Sequence, residues 1–216
     1  MPAGETQPVN TRARRTLRPL APVGLSDSAQ RVLEAALELF NQHGYDGTSL
    51  QLIADRLGVT KAAIYYHFRT KNEILGALVR PAFEHLQQLL DDAGAGPRTA
   101  ARREQNLRDY IDYLLHYRQV SGFLSRDIAA LAQPEVWQPA QQLTDRLQHL
   151  LTGHAPQDDE ALADLWGAAT SQALIGALLA FPAAPEEWLR SELTELGAHL
   201  AAGHRKAQRR AVNTPR

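Results

Sequence analysis

The 216-residue chain contains no cysteine. That excludes a disulfide framework, a thiolate metal site and a cysteine nucleophile, and it fits a reducing, cytoplasmic setting. Strand signals are missing too: no segment alternates apolar and polar residues with β-branched enrichment, and no repeat of 20–50 residues recurs. No apolar run reaches the roughly 18 residues that would span a bilayer. Residues 1–24 carry arginines but no apolar stretch of the kind a secretory signal needs, so no membrane partner is expected. Catalytic signatures are absent: there is no G-x-S-x-G, no P-loop and no G-x-G-x-x-G. The eight histidines are scattered without H-E-x-x-H spacing, so no catalytic residue, metal or cofactor is expected. The acidic run Asp158, Asp159, Glu160 suits the start of a helix better than a cation site.

What remains is 44% hydrophobic and 22% charged, enough to bury a core. The net charge of −1 hides three zones. Residues 1–80 hold 10 basic against 7 acidic side chains, residues 81–202 hold 8 against 17, and residues 203–216 hold 5 against none. An acidic middle between basic ends suggests separate partners, or two solvated tails. Residues 1–25, with four prolines and Arg12, Arg14, Arg15 and Arg18, read as a flexible basic arm. Such an arm either solubilises or follows phosphates into a minor groove.

From Ser26 the pattern is helical. Leu33, Leu37, Phe40 and Val32, Ala36, Leu39 form one apolar stripe, Ser26 or Asp27 caps it and Gly44 stops it, giving a helix over 27–43. Thr48 and Gln51 stand at capping-box spacing before Leu50, Ile53, Ala54 and Leu57, and Gly58 ends that second helix. Thr60 caps a third, with Val59 and Ile64 placed as a hydrophobic staple. Thr70 and Glu73 open a fourth with another capping box, and Pro81 predicts a kink or break within it. After the turn at 94–97, five further helices are expected over about 99–120, 122–132, 135–153, 158–181 and 185–207. The expectation is an all-α chain of about nine helices. Its organisation is a basic arm (1–25), a three-helix helix-turn-helix domain (26–72), a helical ligand-binding and dimerisation domain (73–207) and a basic tail (208–216).

The third helix has the chemistry to enter a DNA groove. Ala62 and Ala63 keep it slim, while Lys61, Tyr65, Tyr66 and His67 project hydrogen-bonding groups. Lys71 opposes the dipole of the next helix, and a nearby phosphate would account for it. Spacing alone also permits a helical domain whose tyrosines pack on a neighbour.

The segment RVLEAALELFNQHGYDGTSLQLIADRLGVTKAAIYYHFRTKNEILGALV (31–79) resembles the DNA-binding domain of TetR-family transcriptional regulators. The likeness covers the first apolar stripe, the HGYDGTS loop, the IADRLGV turn and the TKAAIYYHFRTK segment. It implies that Thr60 and Tyr65 bind phosphate, that Lys61, Ala62 and Tyr66 face base edges, and that His67 and Lys71 hold the backbone. It further implies that Thr48, Ser49 and Gln51 touch the opposite strand, with Gln51 near a base. The implied partners are double-stranded DNA with a palindromic operator, a small-molecule effector, and a second copy of the chain paired through residues 158–207.

Small residues on the eighth expected helix (Gly167, Ala168, Ala169, Ser171, Ala173, Gly176, Ala177) and the leucine stripe of the ninth suit such pairing. A largely apolar ligand is expected in a pocket among helices 4 to 8. The candidate lining is Phe83, Tyr110, Tyr113, Tyr117, Phe123, Trp137 and Trp166, with His116 and Arg126 as polar anchors. The resemblance points to a repressor released by that ligand. The alternative is a carrier or enzyme on a helical scaffold that no longer binds DNA.

Overall fold

A computed structural model describes residues 25–97, 99–153 and 159–213, the side chains of residues 212 and 213 excepted. The arm with Arg12, Arg14, Arg15 and Arg18, the residue Asp158 and the end 214–216 lie outside them. Among the described residues there is no strand, and ten helices follow one another: α1 Asp27–His43, α2 Leu50–Leu57, α3 Lys61–His67, α4 Lys71–Gly94, α5 Ala100–His116, α6 Arg118–Leu124, α7 Ile128–Leu131, α8 Pro134–Thr152, α9 Glu160–Ala180 and α10 Glu186–Asn213.

The first four begin where local hydrogen bonding dictates. The Oγ of Ser26 accepts from Ala29 N–H, Thr60 from Ala63 N–H and Thr70 from Glu73 N–H, each satisfying a donor that the first helical turn leaves without a partner. Glu73 completes its turn by accepting from Arg69 N–H at 2.7 Å. The cap of α2 corrects the sequence reading. Ser49, not Thr48, accepts from Leu52 N–H, because the Thr48 hydroxyl is turned inward and donates to the Gly44 carbonyl at 2.8 Å.

Three further differences concern where helices run on and where they divide. α4 runs through Pro81 without a break, and the Tyr117 hydroxyl, just past α5, donates to the Pro81 carbonyl from outside the helix. The expected helices over 99–120 and 122–132 are divided into three, which makes ten helices rather than about nine. The backbone turns at Tyr117, and the Asp127 carboxylate caps the separate short α7 by accepting from Ala130 N–H. α10 extends past 207 because Gln208 is buried and bonds both the N–H and the carbonyl of Asp159.

Two cores hold the molecule. The first joins α1, α2, α3 and the opening turns of α4, centred on Leu33, Phe40, Ile53, Ile64 and Ile74. It also takes in Val120, Phe123, Ala130 and Val136 from α6, α7 and α8, so it crosses the domain boundary expected at residue 72. The Phe123 ring stacks on Phe40 at 5.3 Å. The second core lies among α4, α5, α8, α9 and α10 around Tyr110, Ile111, Leu114, Leu174 and Leu178. α9 packs between α8 and α10, α4 against α8, and α5 against α10.

α9 corrects another expectation, because it is long and apolar enough by composition to cross a membrane. The expectation rests on the absence of an unbroken apolar run. Thr170, Ser171 and Gln172 interrupt one, yet Ala, Gly and Leu on both sides keep the average high. In the fold this helix buries Ala163, Gly167, Thr170, Leu174 and Leu178 against the bundle.

Candidate nucleic-acid interface

α2 and α3 meet at a turn that requires glycine. Gly58 has φ +66°, and its N–H returns to the Ala54 and Asp55 carbonyls. That conformation is left-handed, which a Cβ disfavours. α3 is then anchored by Ile64, fully buried, and by Phe68 just beyond its end. Anchoring one face presents the other. Lys61, Ala62 and Ala63 are exposed, Tyr65 is 46% and Tyr66 85% accessible. Neither α2 nor α3 has an acidic residue in its first turn. Lys61 Nζ lies 5.6 Å from the Tyr65 ring, and the His67 ring meets Tyr66 edge-on at 5.0 Å. So large an exposed aromatic ring on a short, rigid helix has little to gain from water.

The structure gathers Thr60, Lys61, Ala62, Tyr65, Tyr66 and His67 on or beside one helix, with Ser49 and Gln51 at the start of α2. Three of these side chains have hydrogen-bond partners in the protein, the first being Thr60, whose Oγ1 caps α3. Ser49 Oγ caps α2, and Gln51 Nε2 donates to Asp55 at 2.7 Å. Thr48 is only 2% exposed, and its role is to close the loop before α2. Lys71 is half-buried beside that loop. Its Nζ donates to the Tyr45 carbonyl at 2.6 Å and sits 4.0 Å from the centre of the Tyr45 ring. Desolvation lowers its pKa, with Asp46 and Asp127 opposing the shift. An internal partner thus accounts for a lysine at the helix N-terminus, where the sequence pattern suggests only a phosphate.

The neighbourhood of Tyr45 escaped sequence reasoning. Asp127 accepts from Tyr45 N–H at 2.5 Å while capping α7. The Tyr45 hydroxyl donates to Asn72, and Asn72 Nδ2 donates to Gln133 at 3.0 Å and reaches Glu135 at 3.5 Å. Burial, then Glu135, Asp46 and Asp127, push the Tyr45 phenol up to about 12. This chain of contacts joins the α1–α2 loop and the start of α4 to α7 and the start of α8 across 61 to 82 residues of sequence, and no local pattern announces it. Arg69, exposed at the end of α3, is a further cation beside this face.

The candidate ligand residues are not brought to one cavity. Tyr110, Tyr113 and Tyr117 are buried against one another, with ring centres 5.9 and 5.1 Å apart, and His116 packs edge-on to Tyr117. Burial raises the phenols of Tyr110, to about 12, and Tyr113. Phe123 belongs to the first core. Arg126 donates to Asn41 on α1. Trp137 is 54% exposed, and Trp166 packs on Gly203 of α10. Phe83 alone of the nine lines the groove between α4 and α8, an opening of about 370 Å³ also walled by Arg80, Glu135, Pro139 and Leu143. Aromatics at helical spacing fill a core when they can pack on each other.

A family profile described as bacterial regulatory proteins, tetR family, matches residues 32–78. A probable HTH-type transcriptional regulator, YttP of Bacillus subtilis (strain 168), is 33% identical over 101 residues, 45% of this chain and 49% of YttP. The biofilm operon icaADBC HTH-type negative transcriptional regulator IcaR of Staphylococcus aureus (strain Newman) is 37% identical over 60 residues, 28% of this chain and 32% of IcaR. The chain therefore spans half or less of the length of these relatives. Solved structures extend the likeness of fold across most of the chain. The ketosteroid transcriptional regulator KstR2 of Mycobacterium tuberculosis aligns with a TM-score of 0.64 at 18% identity, covering 81% of this chain and 95% of that one. A TetR-like transcriptional regulator from Rhodococcus sp. RHA1 aligns with a TM-score of 0.61 at 22% identity, covering 84% and 100%.

Proposed function

We propose that this chain, whose residues 32–78 match the model of the tetR family of bacterial regulatory proteins, is a sequence-specific DNA-binding repressor, acting as a homodimer and released from its operator by a small molecule. The observation that carries the reading is the outward face of α3. Lys61, Tyr65 and Tyr66 stand exposed on a helix whose opposite side is locked by Ile64. In this reading α3 lies in the major groove. Lys61, Ala62 and Tyr66 face base edges, and Thr60, Tyr65 and His67 meet the backbone. Ser49 and Gln51 approach the opposite strand, and Lys71 supports both the loop and a phosphate.

Pairing of two copies is supported by α9. Leu165 is 65% exposed, and Ala169, Gln172, Gly176 and Ala180 continue its line outward at helical spacing. Covering such a stripe with its own copy gives an isologous dimer. Two reading heads then require a palindrome with half-sites about 34–36 Å apart.

Release works through α4. The groove between α4 and α8 offers Phe83, Pro139 and Leu143 to an apolar body, with Arg80 and Glu135 at its rim. Gly76 lets Glu135 lie close on α4, at 3.1 Å from where a Cβ would stand. Glu135 is also 3.5 Å from Asn72, beside the reading head. A ligand that parts α4 from α8 therefore disturbs the contacts that orient α3. It releases DNA only to the extent that it prefers the released shape. The negative regulator IcaR among the relatives supports repression over activation.

The test is selection of random duplex DNA by the purified chain, followed by a salt series on the enriched sequence. Enrichment of a palindrome whose affinity falls steeply with salt is expected. No enrichment at any salt overturns the reading.

A further inference from the structure

α4 starts beside α3 and ends about 35 Å away, at its rise of about 1.5 Å per residue. There the end of α4, the first turn of α5 and the last turns of α8 line a half-open cavity of about 240 Å³. The proposed regulatory mechanism makes no use of it. Its walls carry Arg102, Arg103 and Arg146, together with Asn106 and His149. Two of these arginines are seated by glycines. A Cβ at Gly96 would come 2.9 Å from Arg102 Nε, and one at Gly153 would come 2.4 Å from Arg103 Cδ, so any other residue would push a guanidinium aside.

The charges are unevenly answered. Arg146 pairs with Asp91 at 2.7 Å, and His149 faces Asp164 at 3.6 Å. Arg102 donates from Nη2 to the Asp92 carbonyl at 2.7 Å. Among the described residues it pairs with no carboxylate, and its Nε is buried without an acceptor. A guanidinium without a carboxylate partner is answered most strongly by a charge-assisted bond to an oxyanion.

We propose that this cavity is a binding site for a small oxyanion, the phosphate or carboxylate group of a metabolite, held chiefly by Arg102. The Asn106 amide and the Arg103 and Arg146 guanidiniums supply further donors around it. The space suffices for a phosphate or a short dicarboxylate, since one water needs only about 10–15 Å³. The site is separate from the α4–α8 groove, and it holds the opposite end of the helix that positions the reading head. An anion bound here ties α4 to α5 and α8.

The experiment is thermal unfolding of the whole chain in a concentration series of inorganic phosphate and, separately, succinate, each against KCl at matched ionic strength. A saturable rise in Tm is expected with one or both anions beyond that in KCl, through preferential binding to the folded state. A response to phosphate alone identifies a phosphate site, and a response to both a general oxyanion site. Arg102→Gln and Arg102→Lys should weaken half-saturation at least tenfold. The lysine variant keeps stem and charge and serves if the glutamine variant does not fold. Arg31→Gln, exposed on α1 and outside both cavities, should leave the response unchanged. No saturable rise over KCl with either anion, or undiminished responses in both Arg102 variants, overturns the proposal. Neither result depends on DNA binding, so failure here leaves the regulatory reading standing.

Discussion

Asp127→Ala tests whether the helical body holds the reading head. The carboxylate accepts two backbone N–H groups, Tyr45 at 2.5 Å and Ala130 at 2.8 Å. The second is a helix cap, and its loss costs about 1 kcal/mol. The first is a bond to a charged group, about 1.5–3 kcal/mol, and its loss leaves an amide of a residue only 3% exposed without a partner. Together these predict a destabilisation of about 2–4 kcal/mol. For a chain of this size that lowers Tm by roughly 5–15 °C. Urea unfolding of wild type and variant measures the first quantity. Native-state hydrogen exchange at the Tyr45 amide measures the local one, where exchange should accelerate more than at Ile64 in the core. Asp127→Asn retains an acceptor without the charge and should fall between the two. A change below about 0.5 kcal/mol, with Tyr45 exchange unaltered, would refute the claim that this contact fastens the two parts of the molecule.

The remaining predictions are smaller in scope. Gly58→Ala meets open space but keeps φ at +66°, so its cost is conformational, about 1–2 kcal/mol in urea unfolding; an unchanged midpoint would mean the turn relaxes. Tyr66→Ala should alter base preference at one position by about 1–3 kcal/mol, whereas Lys71→Ala should weaken all sequences alike and lower the salt slope by about one, both read by titration of labelled duplexes. A Lys71 variant with an unchanged slope would leave that lysine only its bond to Tyr45. Leu165→Glu should convert a dimer to a monomer in sedimentation, and a dimer that persists would place the interface elsewhere. Tyr45 and Tyr110 have phenols raised to about 12, so the fold favours their neutral forms. Their stabilising contribution is complete below pH 10 and is lost as pH climbs toward 12. Urea midpoints across that range should fall, and a flat profile would contradict it.

Sequence alone determined what hydrogen bonds and turns within about four residues decide. The bounds of α1, the Gly58 turn, the Thr60 and Thr70 caps and the buried Ile64 all follow from side chains acting on their own turn of backbone, and so does the exposed face of Lys61, Tyr65 and Tyr66. The same local rule failed at Thr48, because two adjacent hydroxyls could each cap α2 and the choice fell to which one met the Gly44 carbonyl. Tertiary structure decided everything that joins distant positions. Tyr110, Tyr113 and Tyr117 show the same spacing whether they line a void or fill it, and only the arrival of α4 and α9 makes them core. Lys71 finds its carbonyl 26 residues away, and Tyr45 its carboxylate 82 residues away. Arg102 and Arg146 meet across a cavity because the end of α4 brings α5 and α8 together. Helical periodicity tells which face of a helix is buried, but not what it is buried against, and these partners are set by packing between helices.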